Sequence, residues 1–230
     1  MKTVISGQGN RLLATLLSGL LMGMSILFPT SALAQDNTTI VGSKHDFRVQ
    51  GWANNGNNEI CVVCHTPHNA LSPQDGPLWN RALTASTFTL YSPNTTPGSD
   101  IQGTGFNQPT GVSKLCLSCH DGTIAIDAFG GLTGTETMDD INVAANIGDV
   151  VAGTGDLSND HPVAFTFPTT DTEIYANVGG VVNGVMPLFG VGQDQMECAS
   201  CHDVHATNTY DQLLRVDNDS SDLCLTCHIK

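Results

Sequence analysis

Cys198-Ala199-Ser200-Cys201-His202-Asp203-Val204-His205, followed by Cys224-Leu225-Thr226-Cys227-His228, decides how the rest of this 230-residue sequence is read. Cys-x-x-Cys-His is the attachment pattern of c-type haem. Each cysteine sulfur adds to one haem vinyl group, and the adjoining histidine is brought under the iron as an axial ligand. The pattern occurs four times, at Cys61–His65, Cys116–His120, Cys198–His202 and Cys224–His228, and these copies use all 8 cysteines. A single Cys-x-x-Cys also suits a redox dithiol or half a zinc site. Four copies, each followed directly by histidine and with no cysteine to spare, favour four covalent haem c groups. Cys61, Cys64, Cys116, Cys119, Cys198, Cys201, Cys224 and Cys227 are the expected attachment residues.

The four sites fall into two pairs of similar order. Cys61 to His68 and Cys198 to His205 both read Cys-x-x-Cys-His-x-x-His, and Ser113 to His120 matches Ser221 to His228. Leu213-Leu214-Arg215 falls where Leu78-Trp79-Asn80-Arg81 falls. This is an internal duplication of a two-haem unit, with a shorter loop in the second copy. The expected organisation is a leader at 1–34, an N-terminal two-haem unit with a polar arm at 35–130, a cysteine-free insert at 131–190 and a C-terminal two-haem unit at 191–230. Ser113 and Ser221 are the expected N-caps of short helices carrying the second site of each pair. In the insert, Ile174 to Val185 with its Gly179-Gly180 pair predicts a small hairpin. Arg81 and Arg215, at matching places in a cation-poor chain, are read as haem propionate partners or as solvated surface.

The 8 histidines divide evenly. His65, His120, His202 and His228 belong to the motifs, and His45, His68, His161 and His205 remain. Four irons each need one further axial ligand, so the count predicts two imidazoles on every iron. Met138, Met186 and Met196 are alternative ligands, but none repeats between the halves. Residues three apart on a helical turn share one side, with Cβ atoms about 5–6 Å apart. His68 therefore does not cross to the far face of the haem held by His65. The repeat predicts that His68 serves the haem on Cys116/Cys119 and His205 the haem on Cys224/Cys227. His45 and His161 are left for the haems on Cys61/Cys64 and Cys198/Cys201.

The first residues have the pattern of an export leader: Lys2 and Arg11, an apolar run from Leu12 to Phe28, then Ala32-Leu33-Ala34 as a small-x-small cleavage site. No second apolar run follows, so no membrane insertion of the mature chain is expected. The formal net charge is −14, which disfavours nucleic acid and anionic membrane as partners. Aromatic residues make up only 6% of the chain against 24 glycines, and long stretches lack helical or strand periodicity. The expected fold is mostly irregular coil, with short helices at the haem sites and few β-strands, wrapped around four haems as a multihaem cytochrome c.

Ser43-Lys44-His45-Asp46, CVVCHTPHNA, PLWNR, KLCLSCHDGT, NDHPV, CASCHDVH, LLR and LCLTCH together resemble the doubled Cys-x-x-Cys-His family of multihaem cytochromes. They are most similar in order to tetrahaem nanowire cytochromes of the OmcE type. The resemblance covers most of the chain after the leader, specifically at the haem sites and loosely in the linkers. It implies an electron conductor, not an enzyme, that forms a head-to-tail extracellular homopolymer. It also implies a trans histidine completing a haem in the next subunit, with His45 or His161 as candidates and His45 favoured. Other redox proteins or extracellular acceptors such as metal oxides are the implied partners. Two alternatives compete: a soluble periplasmic tetrahaem shuttle, and a haem enzyme of the nitrite or hydroxylamine type with one open iron. Intact-mass measurement is expected to show four haem additions, and the double variant Cys61→Ala/Cys64→Ala is expected to lose one of them.

Overall fold

The computed structural model describes residues 40–49, 59–71, 73, 76–91, 106–138, 154–205 and 210–229. The leader at 1–34, much of the polar arm and residues 139–153 of the insert lie outside the described residues. Regular structure within them is brief. One helix, α1 (Gly111–His120), exceeds two turns, while α2 (Cys198–Cys201) and α3 (Asp222–Leu225) are single turns. Seven strands, β1 (Thr87–Leu90), β2 (Thr154–Leu157), β3 (Phe165–Thr166), β4 (Asn177–Val178), β5 (Val181–Val182), β6 (Met186–Pro187) and β7 (Gln195–Met196), form three small sheets.

Two apolar clusters organise these pieces. β1 and β2 pair in parallel, Thr87 opposite Thr154 and Leu90 opposite Leu157, and α1 lies in the connection between them. Alternation along β1 turns Phe88 inward, where it meets Leu117 of α1 and Leu157 of β2. The open edge of β1 is closed by one side chain. The Gln108 amide donates to the Phe88 carbonyl and accepts from the Phe88 N–H, both at 2.8 Å.

The larger cluster joins Phe165, Phe167, Val182, Met186, Leu188 and Met196, with Cys201, Val216, Leu223 and Cys227 packed against it. Its frame is the antiparallel β3–β7 pair beside the three-stranded β4–β5–β6 meander. The β4–β5 turn is Gly179-Gly180, with φ of 61° and 88°. Tight hairpin turns with both central residues at positive φ favour glycine there. Two of the methionines named above as alternative ligands, Met186 and Met196, are core residues of this cluster. The same insert grips the last haem motif: the Tyr175 N–H donates to the Cys227 carbonyl and the Ile229 N–H to the Glu173 carbonyl.

The N- and C-terminal units meet where α1 crosses α2. Ser113, fully buried, donates its N–H to the Glu197 carboxylate at 3.2 Å, and its Oγ accepts from the Cys198 N–H at 3.0 Å. Glu197 also forms a reciprocal capping box with Ser200. Ser113 is therefore not the N-cap of α1. Thr110 occupies that place, and the helix begins two residues ahead of Ser113 so that the hydroxyl points across to α2. Ser221 does precede α3, in a left-handed conformation and with no side-chain capping bond. Ser113→Ala leaves the buried Cys198 N–H without its acceptor, a loss of about 1–3 kcal/mol. Urea unfolding of the haem-loaded protein is expected to show that loss in unfolding free energy, as a lower midpoint at unchanged slope.

Candidate haem sites

Each first site of a pair is one turn of helix followed by a short return strand. The His65 N–H donates to the Cys61 carbonyl at 2.8 Å and the His202 N–H to the Cys198 carbonyl at 3.0 Å. Both imidazoles are then oriented by their Nδ1. His65 Nδ1 lies 2.8 Å from the Pro77 carbonyl, and His202 Nδ1 lies 2.8 Å from the Gln212 carbonyl. Nδ1–H donation to a carbonyl fixes the tautomer and leaves Nε2 with its lone pair free for a metal. The return strand takes the same path in both units. Leu78 and Leu213 both sit at positive φ, 57° and 60°. A branched residue in that region is unusual enough to mark a constrained site.

These matching bonds set the register of the duplication, and it differs by one residue from the register expected above. The Asn80 N–H donates to the Cys64 carbonyl, and the Arg215 N–H to the Cys201 carbonyl. Asn80 Nδ2 caps the Val62 carbonyl, as Arg215 Nε caps that of Ala199. Arg215 is therefore the counterpart of Asn80, and Val216 the counterpart of Arg81. The arginines also differ in surroundings. Arg215 pairs with the Asp203 carboxylate at 2.6 Å. Arg81 is 2% exposed, so it is not solvated surface, and it donates to the Ile126 and Ala125 carbonyls. Spacing alone missed this because the return loop is shorter in the second copy and the two arginines were the obvious landmarks.

Six of the cysteines are partly buried, while Cys61 and Cys224 are exposed. Burial pushes Cys64 up to about 12 and Cys227 up to about 11, and raises Cys119 and Cys201. Zinc ligands and reactive dithiols need the thiolate, which such sites disfavour, whereas an apolar porphyrin edge is at home there. Cys116 and Cys198 touch. Their hydrogen bond raises Cys116 and lowers Cys198. Successive motifs are neighbours: Cys119 acts on Cys64, Cys198 on Cys116, and Cys201 on Cys227. Among the described residues no three of His, Cys, Asp and Glu converge as a cage for a bare metal ion.

Two of the remaining histidines lie beside motif histidines. The His45 and His120 rings have centroids 6.0 Å apart, and the His65 and His205 rings 6.1 Å. Two imidazoles on opposite sides of one metal, each about 2.0 Å from it, hold their centroids roughly 6.3 Å apart. The ring separations in both pairs come close to that spacing. His45 is fixed by a tight turn: the Asp46 carboxylate accepts from the Gly42 N–H and from the Arg48 guanidinium at two atoms. Its Nδ1 is buried without a partner, and burial together with His120 and His202 holds it down to about 4, neutral as a metal ligand must be. His161 lies within electrostatic reach of His228, and desolvation of its ring lowers it further. His68 and His202 are exposed. Among the described residues no ring lies face to face with either.

These ring neighbours differ from the expected ligand pairs. His205 lies beside His65, where His228 was expected, and His45 lies beside His120 with His202 also within its electrostatic reach. The α1–α2 crossing brings the two halves together, which spacing along the chain does not reveal. The residues present fit covalently held haem: oriented Nε2 atoms, apolar thiols and facing imidazoles at metal-spanning distance.

No helix of the described residues is long and apolar enough to cross a membrane. No curated protein matches the chain. The model of the doubled CXXCH motif matches residues 191–230, which hold the third and fourth motifs. The motif indicates covalently bound haem c and supports electron transfer as the work of such sites. The C-terminal unit of this chain is thus similar to the doubled haem-attachment unit of multihaem c-type cytochromes.

Proposed function

We propose that this protein is a tetrahaem cytochrome that conducts electrons through closely spaced, bis-histidine haems, and that it is exported and assembles head to tail into an extracellular filament of the OmcE type. The observation that carries this reading is the histidine remainder. His45 lies beside His120 and His205 beside His65, and His161 comes within electrostatic reach of His228; we read these as three irons ligated within one chain. That reading leaves over His68 and His202, both exposed and neither with a ring neighbour among the described residues, although His202 acts electrostatically on His45. His202 lacks a facing ligand and His68 lacks an iron, so one copy's His68 completes the iron held by another copy's His202. A contact between two different surface patches is heterologous and does not close on itself, which is the symmetry of a fibre. His45, favoured above as the trans ligand, is engaged by His120 of its own chain, and His68 takes that role instead.

The haem groups supply the one-electron chemistry when bound. The chain's own residues fix their spacing and ligation. A hydrogen bond joins Cys116 and Cys198, and Cys119 and Cys201 lie within electrostatic reach of Cys64 and Cys227, so successive attachment points are near one another. Two imidazoles per iron favour low reduction potentials and leave no open position for substrate. The acidic chain, −14 overall, suits cationic partners and metal-oxide surfaces as acceptors.

A second reading is favoured by the exposed, unfaced His202. In an isolated monomer its iron is open to small ligands, as a haem enzyme requires. Electron microscopy and carbon monoxide binding by the reduced protein separate the readings. The wild type is expected to form filaments with no carbon monoxide site. His68→Ala is expected to remain monomeric and to bind one equivalent, whereas His205→Ala and His45→Ala each open one iron while still assembling. Filaments of His68→Ala with every iron six-coordinate would sink the trans-ligand assignment. A wild-type monomer that binds one equivalent favours the enzyme reading, and a monomer that binds none favours a soluble periplasmic shuttle.

A further inference from the structure

The duplicated units differ most sharply at one interior position. In the N-terminal unit Arg81 stands where the C-terminal unit has Val216. Val216 packs with Cys201 and Cys227 in the apolar cluster. Arg81 occupies the corresponding place against Cys64 and Cys119, the sulfurs expected to tie the first two haems. Its guanidinium is held by two backbone carbonyls, Ile126 and Ala125, each at 2.7 Å. Its Nε–H has no oxygen or nitrogen acceptor, and the Cys119 thiol lies within reach of the guanidinium. Carbonyl dipoles satisfy the donors without cancelling the charge.

Resting on the four-haem reading, we infer that Arg81 is a fixed interior cation that holds the haems on Cys61/Cys64 and Cys116/Cys119 at higher reduction potential than the haems on Cys198/Cys201 and Cys224/Cys227. An oxidised haem carries one more positive charge than a reduced one. A neighbouring cation disfavours the oxidised form, and does so more strongly away from water. Arginine does not shed its proton to escape the cost. The guanidinium lies within electrostatic reach of both Cys64 and Cys119.

The other charges do not undo this difference. Asp121 is buried, and its carboxylate is shared among the Thr84 hydroxyl and the N–H and hydroxyl of Thr123. It acts on Cys119 less strongly than Arg81 does, and is not among the groups acting on Cys64. Glu197 lies between the units and acts on Cys116 and Cys198, one sulfur of each pair. Arg215, the other interior-side arginine, acts on Cys201 but is ion-paired with Asp203 at 2.6 Å. The N-terminal pair therefore carries a buried cation with no ion pair among the described residues, where the C-terminal pair carries a methyl-bearing side chain, and electrons settle on the N-terminal pair first.

Redox titration followed by paramagnetic nuclear magnetic resonance, with each haem assigned through its thioether and histidine signals, tests this in the wild type. The first haem to reduce as the potential is lowered is expected to belong to Cys61/Cys64 or Cys116/Cys119. First reduction in the C-terminal pair overturns the inference. Arg81→Met is expected to lower the reduced-to-oxidised ratio of the N-terminal haems about tenfold at a fixed potential, or about 59 mV for one electron. Arg81→Lys, which keeps the charge, is expected to retain most of the ratio, and Arg215→Met to leave the N-terminal haems unmoved. Superimposable titrations of wild type and Arg81→Met, with four haems each by intact mass, overturn the inference and leave the four-haem reading standing. A wild type lacking haem at Cys61–His65 or Cys116–His120 sinks both.

Discussion

The crossing of α1 over α2, tied by Ser113, Glu197 and Cys198, is the constraint on which the rest of the molecule depends. The protein has little apolar core of its own, and its regular elements are too short to hold each other by packing alone. Two buried hydrogen bonds across this crossing bring the first cysteines of the second and third motifs into contact. They also turn His205 of the C-terminal unit toward His65 of the N-terminal unit. A buried carboxylate with backbone N–H donors is well stabilised, and removing any member leaves another without a partner. That interdependence makes the junction between units specific, where a purely apolar contact would allow the units to slide.

Duplication supplied two copies of one local design, and the copies have since parted at the positions that face the attachment sulfurs. The backbone path is shared down to the left-handed Leu78 and Leu213 and the carbonyl that orients each motif histidine. Differences gather inside the turn. Arg215 stands where the other copy has Asn80, and its extra charge is met by Asp203. Arg81 answers to Val216, so one unit has a charged interior and the other an apolar one that merges with the Phe165–Phe167 cluster. A common frame thus carries different fixed charges beside the attachment cysteines of its two copies.

The motifs were legible because covalent attachment demands particular atoms at fixed spacing, and no tertiary information is needed to read Cys-x-x-Cys-His. The hairpin at Gly179-Gly180 was legible for a similar reason: two consecutive positive φ angles favour glycine. Ser113 misled because a serine ahead of a helical motif has the look of a cap, and only the neighbouring segment reveals that its hydroxyl is committed elsewhere. Arg81 and Arg215 misled because matching by residue type ignores a difference in loop length that the hydrogen bonds make plain.

The amino-acid sequence by itself determined the chemistry on offer: eight thiols in four pairs, four histidines beside them and four more in reserve. Which reserve imidazole faces which motif was decided by the tertiary structure alone. Spacing along the chain limits only how far a histidine reaches, and many partners lie within that limit. The α1–α2 crossing and the Asp46–Arg48 turn select among them, because they bring remote segments to one point and hold each ring at a single orientation.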